Sequence, residues 1–262
     1  MTSPCLTFFD LTLGYGGHPA VHHLNGTILS GSLTAIVGAN GSGKSTLMKA
    51  AAGILRPIGG TCRRAEGLSV AYLPQQSDLD RGFPAQVIDL VSLGLWPKRG
   101  LLGRHTAADK ALLARALSAV GLEGFDKRSL DSLSGGQLQR ALFARAICQD
   151  ADLVLLDEPF NAVDRRTVDD LLAIIDGWVA EGRTVIVVLH DHDLVRARFP
   201  QTLLLAREAI AWGDTQAVLT PVLLAKARQF QEAWDDSAAW CAPDDAASAP
   251  KVSTATPERI HV

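Results

Sequence analysis

The chain has 262 residues, enough to bury one sizeable core, or one core with a smaller subdomain beside it. It is 47% hydrophobic and 20% charged, as ordinary globular proteins are, and its net charge is −3. Because nucleic-acid binding normally needs a basic surface, we expect no nucleic-acid partner. The longest apolar runs, 153–156 and 185–189, have the length of buried strands and fall far short of the roughly 20 residues that a membrane-spanning helix needs.

The N-terminus and the cysteines give an expectation about the compartment. The first ten residues lack the basic and apolar regions of a secretory signal, so we predict none. The cysteines are scattered, with no Cys-x-x-Cys pair, at Cys5, Cys62, Cys148 and Cys241. This pattern is typical of reduced, structural thiols in a cytosolic protein.

The first 30 residues alternate as short strands do, and turn residues separate the runs. We predict strands over 6–9, 11–13 and 26–29 and a turn over 14–17. Three histidines, His18, His22 and His23, fall between these elements. On a helix, His18 and His22 could hold a metal ion, but the glycines before them and Pro19 favour a loop, so we expect no metal site there.

A glycine-rich loop follows the apolar run 33–37 and precedes a helical run, 45–54. Its sequence fits Gly-x-x-x-x-Gly-Lys-Ser in the strand–loop–helix context that this pattern requires. Glycines let backbone N–H groups wrap an anion, and the next helix points its positive end at the same place. Lys44 supplies a cation for the β- and γ-phosphates, and the Ser45 hydroxyl can bind Mg²⁺. We therefore predict contacts to a nucleoside triphosphate from Gly38, Ala39, Asn40, Gly41, Ser42, Gly43, Lys44, Ser45 and Thr46.

Beyond this loop the pattern becomes mostly helical and then alternates again. We interpret 78–131 as a helical insertion, with a well-formed helix over 106–120. The later predicted elements are helices over 137–149 and 167–179 and strands over 153–156 and 184–189. Alternating strands and helices favour an α/β fold with a parallel sheet covered on both faces. Past about residue 230, Ala, Asp, Ser and Pro dominate, so we predict a flexible tail over 231–262.

Two carboxylates follow the strand 153–156 at its carboxyl end, where parallel sheets bind ligands. Asp157 is placed to hold Mg²⁺ directly or through water, and Glu158 is placed to polarise the attacking water. Alone, such a pair is often a solvated strand end, but the phosphate loop upstream favours the functional interpretation. His190 ends the strand 184–189 at the same edge, where it can contact the γ-phosphate or orient the water. We assign no such role to His192.

A second glycine turn lies at Leu133–Arg140, which reads Leu-Ser-Gly-Gly-Gln-Leu-Gln-Arg. It opens a helix and so offers a second anion-binding helix end. This segment resembles the signature of the ABC-transporter ATPases. In that family the signature faces the γ-phosphate held by the phosphate loop of another subunit. The resemblance therefore implies a homodimer in which one copy completes the other's site through Ser134, Gly135, Gly136 and Gln137.

The resemblance runs in family order from residue 6 to about 220 and implies further contacts. Tyr15 is similar to the aromatic residue that stacks on adenine. Gln75 is similar to the glutamine that reaches Mg²⁺ and the attacking water, and the preceding proline favours it over Gln76. Asp164 is similar to the residue that closes the segment crossing the dimer interface.

For the fold, the resemblance implies a phosphate-loop NTPase core of ABC type with an N-terminal antiparallel β subdomain and a helical signature subdomain. We expect the ATPase domain to cover 1–230, with the helical subdomain inserted at about 77–135.

Within the family, the pattern is most similar to the metal-ion import branch, for zinc or manganese. The similarity lies in Glu158–Phe160, in Ala144–Ala146 and in the segment Val91–Gly94 with Trp96. It implies ATP and Mg²⁺ as cofactors, and as partners membrane-spanning permease subunits and an extracytoplasmic solute-binding protein acting through them. The expected location is the cytoplasmic face of the inner membrane.

Several alternatives stay open on the sequence. Importers of siderophores or haem share much of the pattern, although they usually carry Glu-Pro-Thr where this chain has Glu158–Phe160. A soluble ABC ATPase that acts on DNA or ribosomes would carry a long coiled-coil insertion or a second ATPase domain. A non-hydrolysing scaffold is disfavoured because Lys44, Asp157, Glu158 and His190 are all present. A GTPase or small-molecule kinase is disfavoured by the second glycine turn.

Overall fold

A computed structural model describes residues 3–16, 18–76, 84–100, 103–161 and 163–232. Of residues 230–232 it describes the backbone alone. The strands are β1 (Pro4–Tyr15), β2 (His18–Leu29), β3 (Leu33–Val37), β4 (Gly59–Arg64), β5 (Val70–Leu73), β6 (Leu153–Asp157), β7 (Thr184–Val188), β8 (Gln201–Ala206) and β9 (Glu208–Asp214). The helices are α1 (Lys44–Ala51), α2 (Val87–Ser92), α3 (Trp96–Arg99), α4 (Ala107–Ala119), α5 (Gly135–Gln149), α6 (Arg165–Ala180), α7 (His192–Arg198), α8 (Thr215–Val218) and α9 (Pro221–Glu232).

The larger sheet has six strands in the order β5-β6-β7-β3-β8-β9, and all but β9 run parallel. Every residue of β3, β6 and β7 is buried, as expected for parallel strands covered on both faces. Because these strands are parallel, the carboxyl ends of β3, β5, β6 and β7 lie along one edge of the sheet. The chain segments that leave those ends carry the candidate site.

Two cores form on the two faces of this sheet, since successive side chains of a strand point to opposite sides. On one face, Val37, Leu156 and Val187 pack against the helical layer that contains α2, α4, α5 and α6. On the other face, Ile36 and Leu155 pack against α1 and the smaller sheet. That smaller sheet is antiparallel, in the order β2-β1-β4. Within the described ranges, no helix has the length and apolar character needed to cross a bilayer.

The α/β fold, the N-terminal antiparallel subdomain and the helical subdomain predicted from the sequence are confirmed. The expected helix over 106–120 is α4, which begins after Thr106: the Thr106 side chain caps the backbone N–H of Asp109. The domain limits at 77–135 and 1–230 stay predictions. The helix α9 continues to Glu232, and the rest of the proposed tail, 233–262, lies outside the described residues.

The N-terminal hairpin differs from the prediction. The expected loop around His18 and His22 is part of β2, which begins at His18 instead of residue 26, and β1 is one long strand instead of two short ones. The reason is that the pairing of β1 with β2 shifts register along its length, with left-handed residues at Asp10 (φ 46°) and His23 (φ 45°). Such bulges break the alternation on which a strand prediction rests.

A tryptophan joins the two sheets. The indole of Trp212 in β9 lies against the backbone of Gly26 in β2, and its ring centroid is 6.0 Å from that of Phe8 in β1. The lack of a side chain at Gly26 makes room for the indole. A Cβ atom there would lie 2.2 Å from Cζ3 of Trp212.

We expect Gly26→Ala to lower the free energy of unfolding by about 1–3 kcal/mol, because the added methyl forces the indole out of its place. Urea unfolding measures the change. The control is Gly177→Ala in α6, where an added Cβ meets no atom within 4 Å. Alanine in a helix should raise the stability of the control by about 0.5–1 kcal/mol. Unchanged stability in Gly26→Ala would contradict the role given to this contact.

Candidate nucleotide site

The phosphate loop, residues Gly38–Ser45, connects β3 to α1 and is held from two sides. A Cβ atom on Gly43 would lie 2.4 Å from the carbonyl oxygen of Ala20 in β2, and Gly43 has φ +94°. A Cβ atom on Gly38 would lie 2.1 Å from the carbonyl oxygen of Leu205 in β8. Only glycine fits at Gly43, where both the close approach and the left-handed backbone exclude a side chain.

The turn between β8 and β9 ties the loop to the small sheet. The backbone N–H of Arg207 donates to the carbonyl oxygen of Ser42 at 3.0 Å. The backbone N–H of His22 in turn donates to the carbonyl oxygen of Arg207 at 2.7 Å. Arg207 has φ 61°, which lets both its backbone groups face these partners. The hairpin that carries Tyr15, at the exposed end of β1, is thereby fixed relative to the loop.

Lys44 is buried inside the loop that it belongs to. Its ammonium donates to the carbonyl oxygens of Gly38 at 2.9 Å and Ala39 at 2.8 Å. Burial lowers the pKa of Lys44, while the negative charges of Glu158 and Asp157 oppose that shift. A phosphate that entered the loop would meet a cation already held in place.

Asp157 ends β6 with its carboxylate buried at 2% exposure. Its Oδ2 accepts a hydrogen bond of 3.3 Å from the Tyr72 hydroxyl, and its Oδ1 has no hydrogen-bond partner among the described residues. Burial is the main cause that raises the pKa of Asp157, the charge of Glu158 adds to it, and hydrogen bonding from Ser45 and Tyr72 opposes it. A buried carboxylate oxygen without a donor is costly, which makes it a fitting ligand for a cation.

No group of three or more His, Cys, Asp and Glu side chains that could hold a metal ion occurs in the described parts of the chain. A Mg²⁺ ion at Asp157 would therefore need other oxygen ligands, which phosphates, water and the Ser45 hydroxyl can supply.

Glu158 and His190 form a close pair. Glu158 Oε1 lies 2.5 Å from His190 Nε2, and Asn161 Nδ2 lies 3.5 Å from Glu158 Oε2. The pair forms because β6 and β7 are adjacent and Asp157 is in register with Val188, so both chains leave the sheet side by side. Glu158 has φ 50°, a left-handed conformation that costs a non-glycine residue about 1–3 kcal/mol.

Glu158 and Lys44 line a cavity of about 400 Å³ at the sheet edge, whereas His190 lies with Glu158 in an adjoining cavity. The residues that line the first cavity are Ala20, Asn40, Gly41, Gly43, Lys44, Ser45, Thr46, Gln75 and Glu158. The structure also separates the two adjacent glutamines. Gln75 Nε2 donates to Ser45 Oγ at 3.3 Å, whereas Gln76 Nε2 donates to the carbonyl oxygen of Gly135 at 3.0 Å.

The signature turn, residues Ser134–Gln137, begins α5 and does not line this cavity. The Ser134 hydroxyl accepts from the backbone N–H of Gln137 at 3.2 Å, and the Gln137 side chain accepts from that of Ser134 at 3.0 Å. Asp164 caps α6 through Thr167, and these hydrogen bonds lower its pKa. A Cβ atom on Gly136 would lie 3.7 Å from Asp164 Oδ2, so both predicted interface residues lie close together.

Three contributors were missed from the sequence. Ala20 and Arg207 touch the loop through backbone atoms, which leave no sequence signal. Tyr72 could have been noticed, because it stands at the end of an edge strand two residues before Pro74, but its partner Asp157 is 85 residues away.

Comparison with known proteins agrees with this geometry. Residues 21–161 match the family model described as ABC transporter. The manganese transport system ATP-binding protein MntB of Listeria monocytogenes is 38% identical over 216 residues, 80% of this chain and 90% of that protein. The zinc transport system ATP-binding protein TroB of Treponema pallidum is 39% identical over 217 residues, 80% of this chain and 82% of that protein.

Among solved structures, an inward-facing transporter assigned to the metal-chelate type of ABC transporter superposes with a TM-score of 0.77 at 31% identity. The match covers 87% of this chain and 90% of that one. A family model that spans more than half of the chain, relatives above 30% identity and a phosphate loop beside a Glu–His pair all agree. The chain belongs to the ABC transporter family, as one of its ATP-binding subunits.

Proposed function

We propose that this protein hydrolyses ATP, with Mg²⁺ bound, to drive the import of zinc or manganese through separate permease subunits. The observation that carries the hydrolytic part is the 2.5 Å contact between Glu158 and His190, at the cavity that also holds Lys44. A carboxylate held by a histidine beside a phosphate loop can take a proton from an attacking water.

Nucleotide binding would start at the phosphate loop. The backbone N–H groups of residues 41–46 and the positive end of α1 would bind the phosphate oxygens. The Lys44 ammonium would exchange its bonds to the Gly38 and Ala39 carbonyls for bonds to the β- and γ-phosphates. Tyr15, whose side chain is 53% exposed, would stack on the adenine.

The residues that would hold Mg²⁺ are Ser45, Gln75 and Asp157. The unpartnered Asp157 Oδ1 and the contact of Gln75 with Ser45 support this assignment. When bound, the ion would neutralise charge that develops on the β- and γ-phosphates. Asp157 would supply the charge, Ser45 the hydroxyl oxygen, and Gln75, whose side chain contacts Ser45, the amide oxygen.

Glu158 and His190 would act on the water. Glu158 would accept the proton as the water oxygen attacks the γ-phosphorus and the bond to ADP breaks, which releases inorganic phosphate. His190 would contact both the Glu158 carboxylate and the γ-phosphate and so keep the two groups aligned with the attacking water. The left-handed backbone of Glu158 fits this role, because such conformations persist where function requires the geometry.

The site is incomplete within one protomer. The signature turn does not line the phosphate-loop cavity of its own protomer, so it is available to the γ-phosphate bound by a second copy. Asp164 lies beside the turn and would share that interface. ATP would thus close a homodimer, and hydrolysis would open it. The permease and an extracytoplasmic solute-binding protein complete the transporter, with this subunit on the cytoplasmic face of the inner membrane.

The cargo assignment rests on the relatives named for manganese and zinc transport and on Phe160 after Glu158. A chelated metal, as in siderophore or haem import, is the second candidate, and the metal-chelate type of the structural relative favours it.

We expect Glu158→Gln to lower the rate of ATP hydrolysis by about 100- to 10,000-fold, because an amide cannot accept the proton. ATP binding should be retained, and ATP should trap a dimer visible by size-exclusion chromatography. The matched control is Glu181→Gln, at an exposed carboxylate paired with Arg183. It should hydrolyse ATP at the rate of the unmodified protein. Full hydrolysis by Glu158→Gln would sink the catalytic assignment.

Gly43→Ala should weaken the binding of a fluorescent ATP analogue by at least about tenfold, or 1.4 kcal/mol. The added methyl collides with backbone of β2 at a position with φ +94°, so the loop must deform. Gly177→Ala serves as the control, since it adds the same methyl on the exposed face of α6. Equal affinity of both variants would refute the proposed phosphate cradle.

Deletion of the gene should lower the zinc or manganese content of cells grown in metal-poor medium, measured by mass spectrometry. The unmodified protein should restore the content and Glu158→Gln should not. A fall in iron alone would instead assign the transporter to chelated iron.

A further inference from the structure

Side chains of α5 cover the outer edge of the larger sheet. Among the described residues, β5 is the last strand of that sheet, so no further strand pairs with its outer backbone groups there. Gln149 Nε2 donates to the carbonyl oxygen of Val70 at 2.7 Å, and Arg145 Nη2 donates to that of Tyr72 at 2.8 Å. The helix that carries the signature turn is therefore fastened along β5 at its far end.

The near end of α5 is fastened by Gln76. Its Nε2 donates to the carbonyl oxygen of Gly135 at 3.0 Å and to Oε1 of Gln139 at 2.9 Å. Both amide hydrogens are thus directed at oxygen atoms, which fixes the orientation of the amide. Gly135 is the first residue of α5 and belongs to the signature turn, and Gln139 is 2% exposed. The contact holds the part of the helix that would face a second copy's nucleotide.

The adjacent residue faces the phosphate loop. Gln75 Nε2 donates to Ser45 Oγ at 3.3 Å, and both glutamines are half-buried. Gln75 and Gln76 are consecutive in the chain just after β5, so one short stretch of chain reaches both the phosphate loop and the start of α5. A shift of Gln75 toward a bound nucleotide would be passed to the signature turn across a single peptide unit.

We infer that Gln76 is a positioning residue that sets the place of the signature turn relative to the phosphate loop of the same protomer. The inference rests on the proposed function, because the signature turn matters to hydrolysis only if two copies close on ATP. Gln76 itself touches no nucleotide in this account. It acts through Gly135 and Gln139.

The test uses Gln76→Glu, which keeps the shape of the side chain. It replaces the Nε2 donor with a carboxylate oxygen that would repel the carbonyl oxygen of Gly135 and Oε1 of Gln139. The matched control is Gln149→Glu. It makes the same chemical change at the C-terminal end of α5, whereas Gln76 contacts the N-terminal end of that helix. Gln76→Ala, which adds no charge, guards against a fold defect caused by the carboxylate. Thermal unfolding identifies any variant that fails to fold.

Amide hydrogen exchange of the free protomer gives the first readout. Gln76→Glu and Gln76→Ala should speed exchange in residues 133–139 by at least about tenfold, equal to about 1.4 kcal/mol of local stability, and leave 145–149 unchanged. Gln149→Glu should speed exchange in residues 145–149 and leave residues 133–139 unchanged. Unchanged exchange at 133–139 in both Gln76 variants, or an equal rise there in Gln149→Glu, would overturn the inference.

The second readout is the ATP-trapped dimer in the Glu158→Gln background. Adding Gln76→Glu should raise the ATP concentration needed for half-dimerisation by at least about tenfold, while adding Gln149→Glu should leave it within about twofold. Binding of ATP to the monomer should be the same in all. Normal dimerisation with Gln76→Glu would contradict the inference. If Glu158→Gln alone forms no dimer, the proposed function fails, and the exchange experiment still decides the role of Gln76.

Discussion

Parallel pairing of β3, β7 and β6 is the constraint on which the site depends. In register, Ile36 lies beside Val188, and Val188 lies beside Asp157, so the three strands end together. The phosphate loop, the Glu158 carboxylate and the His190 imidazole leave the sheet at that common edge. None of these groups is brought there by a contact with the others. The buried apolar strands behind them set their separation, so packing of the core determines the geometry of the chemistry.

The second constraint is the attachment of the phosphate loop and of α5 to neighbouring strands through backbone groups. Arg207 links the phosphate loop to β2, and side chains of α5 bind carbonyl groups of the edge strand β5. The link through Arg207 uses only backbone atoms and tolerates many side chains, whereas the attachment of α5 depends on the donors of Arg145 and Gln149.

The sequence predicted what depends on local pattern and missed what depends on distant contact. The phosphate loop, the helix over 106–120 and the buried strands 153–156 and 184–189 follow from short-range rules of glycine spacing, helical periodicity and apolar runs. The extent of β2 could not be predicted, because left-handed residues at Asp10 and His23 shift its register. The sequence favoured Gln75 over Gln76 only through the neighbouring proline. Their partners differ and are distant in sequence: Ser45 lies 30 residues from Gln75, and Gly135 lies 59 residues from Gln76.

Glu158 stands where the needs of the fold and of the proposed reaction differ. Glycine adopts φ 50° without the steric cost that glutamate bears, so the backbone at this position would favour a residue that cannot accept a proton. The protein keeps an acidic residue in a left-handed conformation directly after β6, a strand whose residues are all buried. Selection for stability alone would therefore work against the catalytic role proposed for Glu158, and an engineered search for thermostable variants should hold this residue fixed.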